Sequence, residues 1–187
     1  MSIRDEIAKY APFNEQEALD KEHILKFLDE NENAFLRENP TAHITASSWT
    51  VNRERTKVLM VYHRIYDSWS WTGGHADGER DLLSVALREC REETGVKNVR
   101  PVTDEIYSLE ILPVSGHEKN GRYVSSHLHM NVTYLLEADE RDTLTVCESE
   151  NSGVRWFSLD DALKASTEPW FVKRIDSKLN EKLKTIR

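Results

Sequence analysis

Three glutamates, Glu89, Glu92 and Glu93, stand at i, i+3 and i+4 near the end of one helical pattern. That spacing stacks their carboxylates on one side of a helix, a few ångströms apart. Like charges so close repel and cost helix stability. A divalent cation turns that cost into a binding site, because hard cations such as Mg²⁺ take oxygen ligands. The stretch that carries them, Gly73–Val96, reads GGHADGERDLLSVALRECREETGV. A Gly-Gly turn opens it and Gly95, a helix-stop residue, closes it. An acidic run alone is most often a solvated helix face. The glycines at both ends are what argue for a built site.

Other chemistry-bearing residues are more scattered. His127 and His129 fall on one side of a β pattern with Ser125 and Asn131, where they are candidates to line a substrate cleft. Two histidines at strand spacing also raise the question of a metal, but no third ligand lies near them in sequence. His75 follows Gly74 directly and is a candidate substrate contact. Trp69 and Trp71 are two apart and share a strand face; such aromatics are usually core, though Trp69 can stack on a base. Glu148 and Glu150 sit in an acidic loop before Trp156. The two cysteines, Cys90 and Cys147, have neither a metal-binding nor a redox spacing, which suits a reducing, cytoplasmic setting.

The elements that must position these residues can be read from periodicity. Residues 1–40 form an N-terminal helical extension, with an apolar stripe of Ile3, Ile7 and Tyr10. Asn14 is a helix N-cap with Glu17 as its capping-box partner, and Pro40 ends the segment. From His43 the period changes to two: Ile44, Ala46 and Ser48 alternate with Thr45, Ser47 and Trp49. The run Lys57–His63 reads as a buried strand after a hairpin turn over 52–56. Beyond the central helix come a strand over 106–114, a polar loop over 116–121 and a long strand from Tyr123 to Leu136. That strand carries Leu128, Met130, Val132 and Tyr134 toward the core and His127, His129, Asn131 and Thr133 toward a cleft. A short strand over 154–157 follows, then a helix capped by Ser158 and a last helix opened by Pro169. Its stripe is Phe171, Ile175, Leu179 and Leu183. This order predicts an α+β chain, an α/β/α sandwich with a mixed sheet rather than a doubly wound one.

Composition limits the partners. The chain has 187 residues and a formal net charge of −8, with no basic block. Binding to a nucleic-acid duplex needs clustered Lys and Arg, so it is not expected. A small phosphorylated ligand remains compatible, because a bound metal reverses the local field. No window has the length or apolarity of a membrane span, and the N-terminus has no apolar signal core.

The central stretch resembles the Nudix box, G-x5-E-x7-R-E-U-x-E-E-x-G-U, where U is aliphatic. Gly74 fits its first position, and Arg88–Val96 fits its second half in register with Cys90 in an aliphatic place. The early Glu, which in the family supports the loop, falls on Arg80, with Glu79 one residue before it. The resemblance implies a Nudix-type fold, with a domain over 43–187 that includes the C-terminal helix. It also implies hydrolysis of a phosphoanhydride with Mg²⁺ or Mn²⁺. Metal ligands would be Glu89 and Glu93, with Glu92 on a second ion or an aqua ligand, and the Gly74 carbonyl nearby. Arg88 would orient a carboxylate. The general base would be a box glutamate or a later loop glutamate, for which Glu150 is favoured. Substrate choice would rest on Trp69, His75, His127, His129 and the 115–122 loop. Two alternatives share the fold: a non-catalytic ligand-binding module, and an isopentenyl-diphosphate-isomerase-like enzyme. The second needs a catalytic cysteine outside the box, where only Cys147 is available. The N-terminal extension and the C-terminal helix are the candidate elements of a homodimer.

Overall fold

The structure is a computed structural model that describes residues 1–65, 67–119 and 121–186. Tyr66, on the approach to Trp69, and Asn120, in the expected 116–121 loop, lie outside the described residues.

Two helices open the chain, α1 (Ile3–Lys9) and α2 (Glu15–Glu30). Ser2 and Asp5 close a reciprocal capping box on α1. Asn14 caps α2 by accepting from the Glu17 N–H, as expected, but the Glu17 carboxylate does not return to the cap. It accepts from the Phe13 N–H and the Tyr10 hydroxyl instead, and is fully buried. Next come β1 (Ala42–Val51), β2 (Lys57–His63), β3 (Ser68–Ser70), β4 (Thr72–His75) and α3 (Leu82–Thr94). They are followed by β5 (Val99–Pro101), β6 (Ser108–Val114), β7 (His117–Lys119), β8 (Arg122–Val124), β9 (His127–Ala138) and β10 (Asn151–Ser158). The C-terminal part holds α4 (Leu159–Ala165), α5 (Pro169–Phe171), a π-helical turn over Val172–Asp176, and α6 (Ser177–Leu183).

One mixed sheet organises the molecule, in the order β10-β2-β1-β9-β5, with β3 on β2, β4 on β1 and β6 on β9. The central pair, β1 and β9, is parallel and aligns His43 with His129 and Thr45 with Asn131. Strand β1 is buried along its whole length, so both of its faces pack. Ala42, Ile44 and Ala46 join Val85, Ala86 and Cys90 of α3 and Ile3, Ile7 and Ile24 of the N-terminal helices in one core. The N-terminal extension therefore packs on the sheet. Trp49 and Val51, on the other face, join Leu135 and the C-terminal stripe of Ile175, Leu179 and Leu183 in a second core. This layering is the α+β sandwich the order of elements predicts.

Two further expectations are corrected. The 116–121 stretch is not a plain loop: His117–Lys119 and Arg122–Val124 pair as a small antiparallel hairpin turning at Gly121, whose φ is +72°. The long strand begins at His127 rather than Tyr123, because Tyr123 belongs to that hairpin. Its polar face is closed at Asn131 and Thr133, which are fully buried.

Candidate functional site

Helix α3 is fixed at both ends by its own sequence. Asp81 caps it by accepting from the Ser84 N–H at 3.0 Å. Gly95 ends it in the left-handed region at φ +77°, where a Cβ would lie 2.8 Å from Thr145 Cβ. The loop before the helix is braced by Glu79, whose carboxylate accepts from the Arg80 and Asp81 N–H groups at 2.7 and 2.9 Å. That is a supporting role one residue ahead of the position the box assigns. Arg80 instead lies over the Phe35 ring, 4.6 Å from its centroid. Arg37 forms a two-point ion pair with Asp77, and the Gly78 N–H donates to the Phe35 carbonyl. The segment between α2 and β1 thus holds the loop in place.

The three glutamates differ in setting. Glu92 is exposed. Glu93 is 3% exposed and accepts from the Gly73 N–H at 2.8 Å. Glu89 is partly buried, accepts from Arg88 at 2.8 Å, and lies against Gly74, where a Cβ would stand 2.4 Å from its carboxyl carbon. Only glycine leaves room there. Burial pushes the Glu93 carboxyl well above its usual range; the Gly73 N–H opposes this, and Glu150, Glu89 and Glu92 add to it. Burial also raises Glu89, with Arg88 opposing and Glu92 and Glu150 reinforcing.

Glu150 acts on both carboxyls because the chain brings it there. A helix C-terminus leaves carbonyls without internal partners. The Glu93 carbonyl accepts from the Asn151 side chain at 2.9 Å, and the Thr94 carbonyl from the Thr145 N–H at 2.8 Å. These bonds dock the acidic loop on the end of α3. Glu148, Glu150 and Ser149 are exposed there, and Cys147 Sγ lies 3.3 Å from Ser149 Oγ.

Gly74 and His75, neighbours in β4, turn to opposite faces of the sheet. Gly74 meets Glu89, while the His75 ring sits 4.8 Å from His43 and 5.0 Å from His129, centroid to centroid. His127 completes a group of four imidazoles whose candidate ligand atoms all lie within 4.8 Å of one another. His127 and His129 bring Nε2 to Nε2 at 3.2 Å. Burial, aided by the neighbouring imidazoles, pushes His129 down to about 2, and burial lowers His43 as well. The further candidate ligand atoms that the His127–His129 pair lacks in sequence come from His43 and His75, on β1 and β4. The isolated His43 at the start of a strand was the available signal; the parallel β1–β9 register that uses it is not written locally. Trp69 does not join this group. It packs edge-on against Phe157 and Tyr62, with ring centroids 4.9 and 5.4 Å apart, and borders the second core.

A family model described as NUDIX domain matches residues 41–177. The CMP-5'-(N-acetyl-N-hydroxy-3-aminopropyl)phosphonate hydrolase of Streptomyces rubellomurinus is 36% identical over 119 residues, 60% of this chain and 50% of that protein. The asymmetrical bis(5'-nucleosyl)-tetraphosphatase of Rattus norvegicus is 31% identical over 95 residues, 50% of this chain and 58% of that protein. The chain thus spans about half the length of these curated relatives. The crystal structure of a C. elegans Ap4A hydrolase binary complex superposes with a TM-score of 0.52 at 19% identity, covering 76% of this chain and 95% of that one. At that identity the likeness speaks to the fold alone.

Proposed function

The chain belongs to the NUDIX family, and on that premise we propose that it is a hydrolase of a phosphoanhydride joined to a nucleoside or another organic group, working with Mg²⁺ or Mn²⁺. The observation that carries this is the charge deficit at α3. Glu93 is a buried carboxyl and Glu89 a partly buried one, both raised by burial and by Glu92 and Glu150, and among the described residues Arg88 forms an ion pair with Glu89 and none is found for Glu93. A set of oxygen donors with too little positive charge fits a hard divalent cation.

Glu89 and Glu93 would hold the ion, Glu92 a second ion or a coordinated water, and the Gly74 carbonyl would complete the inner side. When bound, the cation neutralises phosphoryl oxygens and lowers the pKa of bound water. Arg88 keeps the Glu89 carboxylate in one orientation through a charge-assisted bond. Gly73 does the same for Glu93 through its N–H. Glu150 is the candidate base that accepts the proton of the attacking water, since the loop docked on α3 carries it to these carboxyls. Attack forms the new oxygen–phosphorus bond, and the bridging oxygen leaves with the other half of the anhydride. A nucleoside on one side of the bond is supported by the nucleotides in both curated relatives' names.

The test is a panel of nucleoside diphosphate conjugates and dinucleoside polyphosphates, incubated with the protein and Mg²⁺, with monophosphate and phosphate release measured. Turnover of at least one member, lost in Glu89→Gln, is expected. Absence of turnover across the panel, with binding still visible by calorimetry, would replace the hydrolase with a ligand-binding module.

A further inference from the structure

On the sheet face opposite α3, the four imidazoles stand apart from the box carboxylates. We propose that His43, His75, His127 and His129 form a second metal site, selective for a late first-row transition ion such as Zn²⁺ and distinct from the carboxylate site. The inference does not depend on the hydrolase reading.

Geometry carries it. Nitrogens that share a tetrahedral Zn²⁺ at ordinary Zn–N lengths stand about 3.3 Å apart. His127 and His129 already present Nε2 atoms 3.2 Å apart, a hydrogen bond in which the His129 Nε2–H donates and whose proton a bound ion would displace, and the remaining candidate atoms fall within 4.8 Å of each other. Closing the set to that spacing requires the His43 and His75 rings to turn. The residues come from β1, β4 and β9, so three rigid strands hold the group, with β1 and β9 locked by the His43–His129 register.

Tautomers support the same conclusion. A carbonyl can only accept, so His127 Nδ1, 2.8 Å from the Ser125 carbonyl, must carry a proton. His43 Nδ1, 3.3 Å from the Asn39 carbonyl, does likewise. In the neutral form of either ring the lone pair is then on Nε2. Backbone carbonyls holding the outer nitrogen while the inner one faces the ion is the usual arrangement around metal-bound histidine. His43 Nε2 is buried and, among the described residues, has no hydrogen-bond partner. A lone pair sealed from water next to three other imidazoles is suited to ligate an ion. An all-nitrogen set suits zinc, copper, nickel or iron, whereas Mg²⁺ prefers the oxygens of α3.

Such an ion would cross-link β1, β4 and β9 next to Gly74, so it would fix the strand against which Glu89 rests. It would also make His75, His127 and His129 metal ligands rather than the direct substrate contacts that the sequence suggests.

The experiment uses the full chain stripped with a chelator and dialysed against metal-free buffer. Zn²⁺ is titrated by calorimetry, and Co²⁺ is followed by its visible absorption, which is intense only in tetrahedral coordination. One equivalent of Zn²⁺ and a tetrahedral Co²⁺ spectrum are expected. His127→Gln and His43→Gln should each weaken Zn²⁺ by at least roughly tenfold, while Glu89→Gln leaves it unchanged. His127 is half-exposed, so its variant keeps the proposal testable if His43→Gln misfolds; circular dichroism checks both. No Zn²⁺ binding by the folded wild-type protein would overturn the site. So would binding that follows Glu89 rather than the histidines, or histidine-dependent binding of inorganic phosphate without Zn²⁺.

Discussion

Two groups of buried carboxyls share this small interior, and they are treated in opposite ways. Glu17 and Glu110, on α2 and β6, are each fully buried and meet lysines from the C-terminal helix. Lys178 lies 3.2 Å from Glu17 and 2.9 Å from Glu110, and Lys182 lies 3.0 Å from Glu17. Ser108, Asn131 and Thr133 fill the remaining lone pairs. Burial pushes Glu17 up, but Lys178, Tyr10, Lys182 and the Phe13 N–H together outweigh it and hold the carboxyl below its usual range. Burial raises Glu89 and Glu93 as well, and there the acidic neighbours Glu92 and Glu150 add to it, with Arg88 opposing at Glu89 and the Gly73 N–H at Glu93. A protein able to neutralise one buried group internally leaves the other short of positive charge. The first group is architecture; the second is where we propose that an external cation binds.

The paired group should break hardest. Replacing Lys178 by Met removes the cation common to Glu17 and Glu110 and leaves buried charge uncompensated. Breaking a buried pair in this way costs about 3–5 kcal/mol, read as a lower urea midpoint at unchanged slope. Adding Glu110→Gln to Lys178→Met should recover part of the loss. A single variant as stable as wild type would mean the network is not held by its charges.

Asp176 sharpens the comparison from the other side. It is 2% exposed in the π-helical turn, its Oδ1 has no hydrogen-bond partner among the described residues, and burial, with Glu168 and Glu110 adding, raises its pKa to about 7. An unpaired carboxyl is thus not by itself a metal site; it needs other oxygen donors beside it. The folded state binds this proton more tightly than the unfolded one, so stability is greatest at low pH and is lost as pH rises from about 4 through about 7. Asp176→Asn should remove that loss. At pH 8 the variant should be more stable by about 2–4 kcal/mol, and near pH 4 the two should match. Equal urea midpoints at both pH values would refute this.

The parts of this arrangement that were legible in the sequence are local. Asn14, Ser158 and Pro169 start helices and Gly95 stops one because each acts on backbone groups within one turn of itself. The α3 carboxylates were legible for the same reason. What was not legible depends on pairings across the chain. Glu17 fits a capping box by spacing, yet its carboxylate is drawn to lysines near the C-terminus. The parallel alignment of β1 with β9 makes partners of His43 and His129, and nothing local encodes it. Trp69 and Trp71 share a spacing that suits a stacking surface or a core equally. Burial decides for the core at Trp71, which packs against Trp49 with ring centroids 6.3 Å apart, while Trp69 stays partly exposed and packs edge-on against Phe157.

The smallest expected change in stability carries the most functional information. Glu93→Gln keeps an oxygen for the Gly73 N–H and removes the charge that burial and three acidic neighbours oppose. The metal-free variant should therefore gain stability, on the order of 1 kcal/mol, where the same change at Glu17 should lose it. In wild type, Mg²⁺ at ten times its dissociation constant should add about 1.4 kcal/mol through selective binding to the folded state. Glu93→Gln should abolish that increment together with turnover. Thermal unfolding with and without Mg²⁺ measures both quantities on one sample. A variant that is less stable than wild type without metal, yet still stabilised by Mg²⁺, would mean that Glu93 belongs with Glu17 as a structural carboxyl. The cation would then have to rest on Glu89 and Glu92 alone, on the outer part of the helix face.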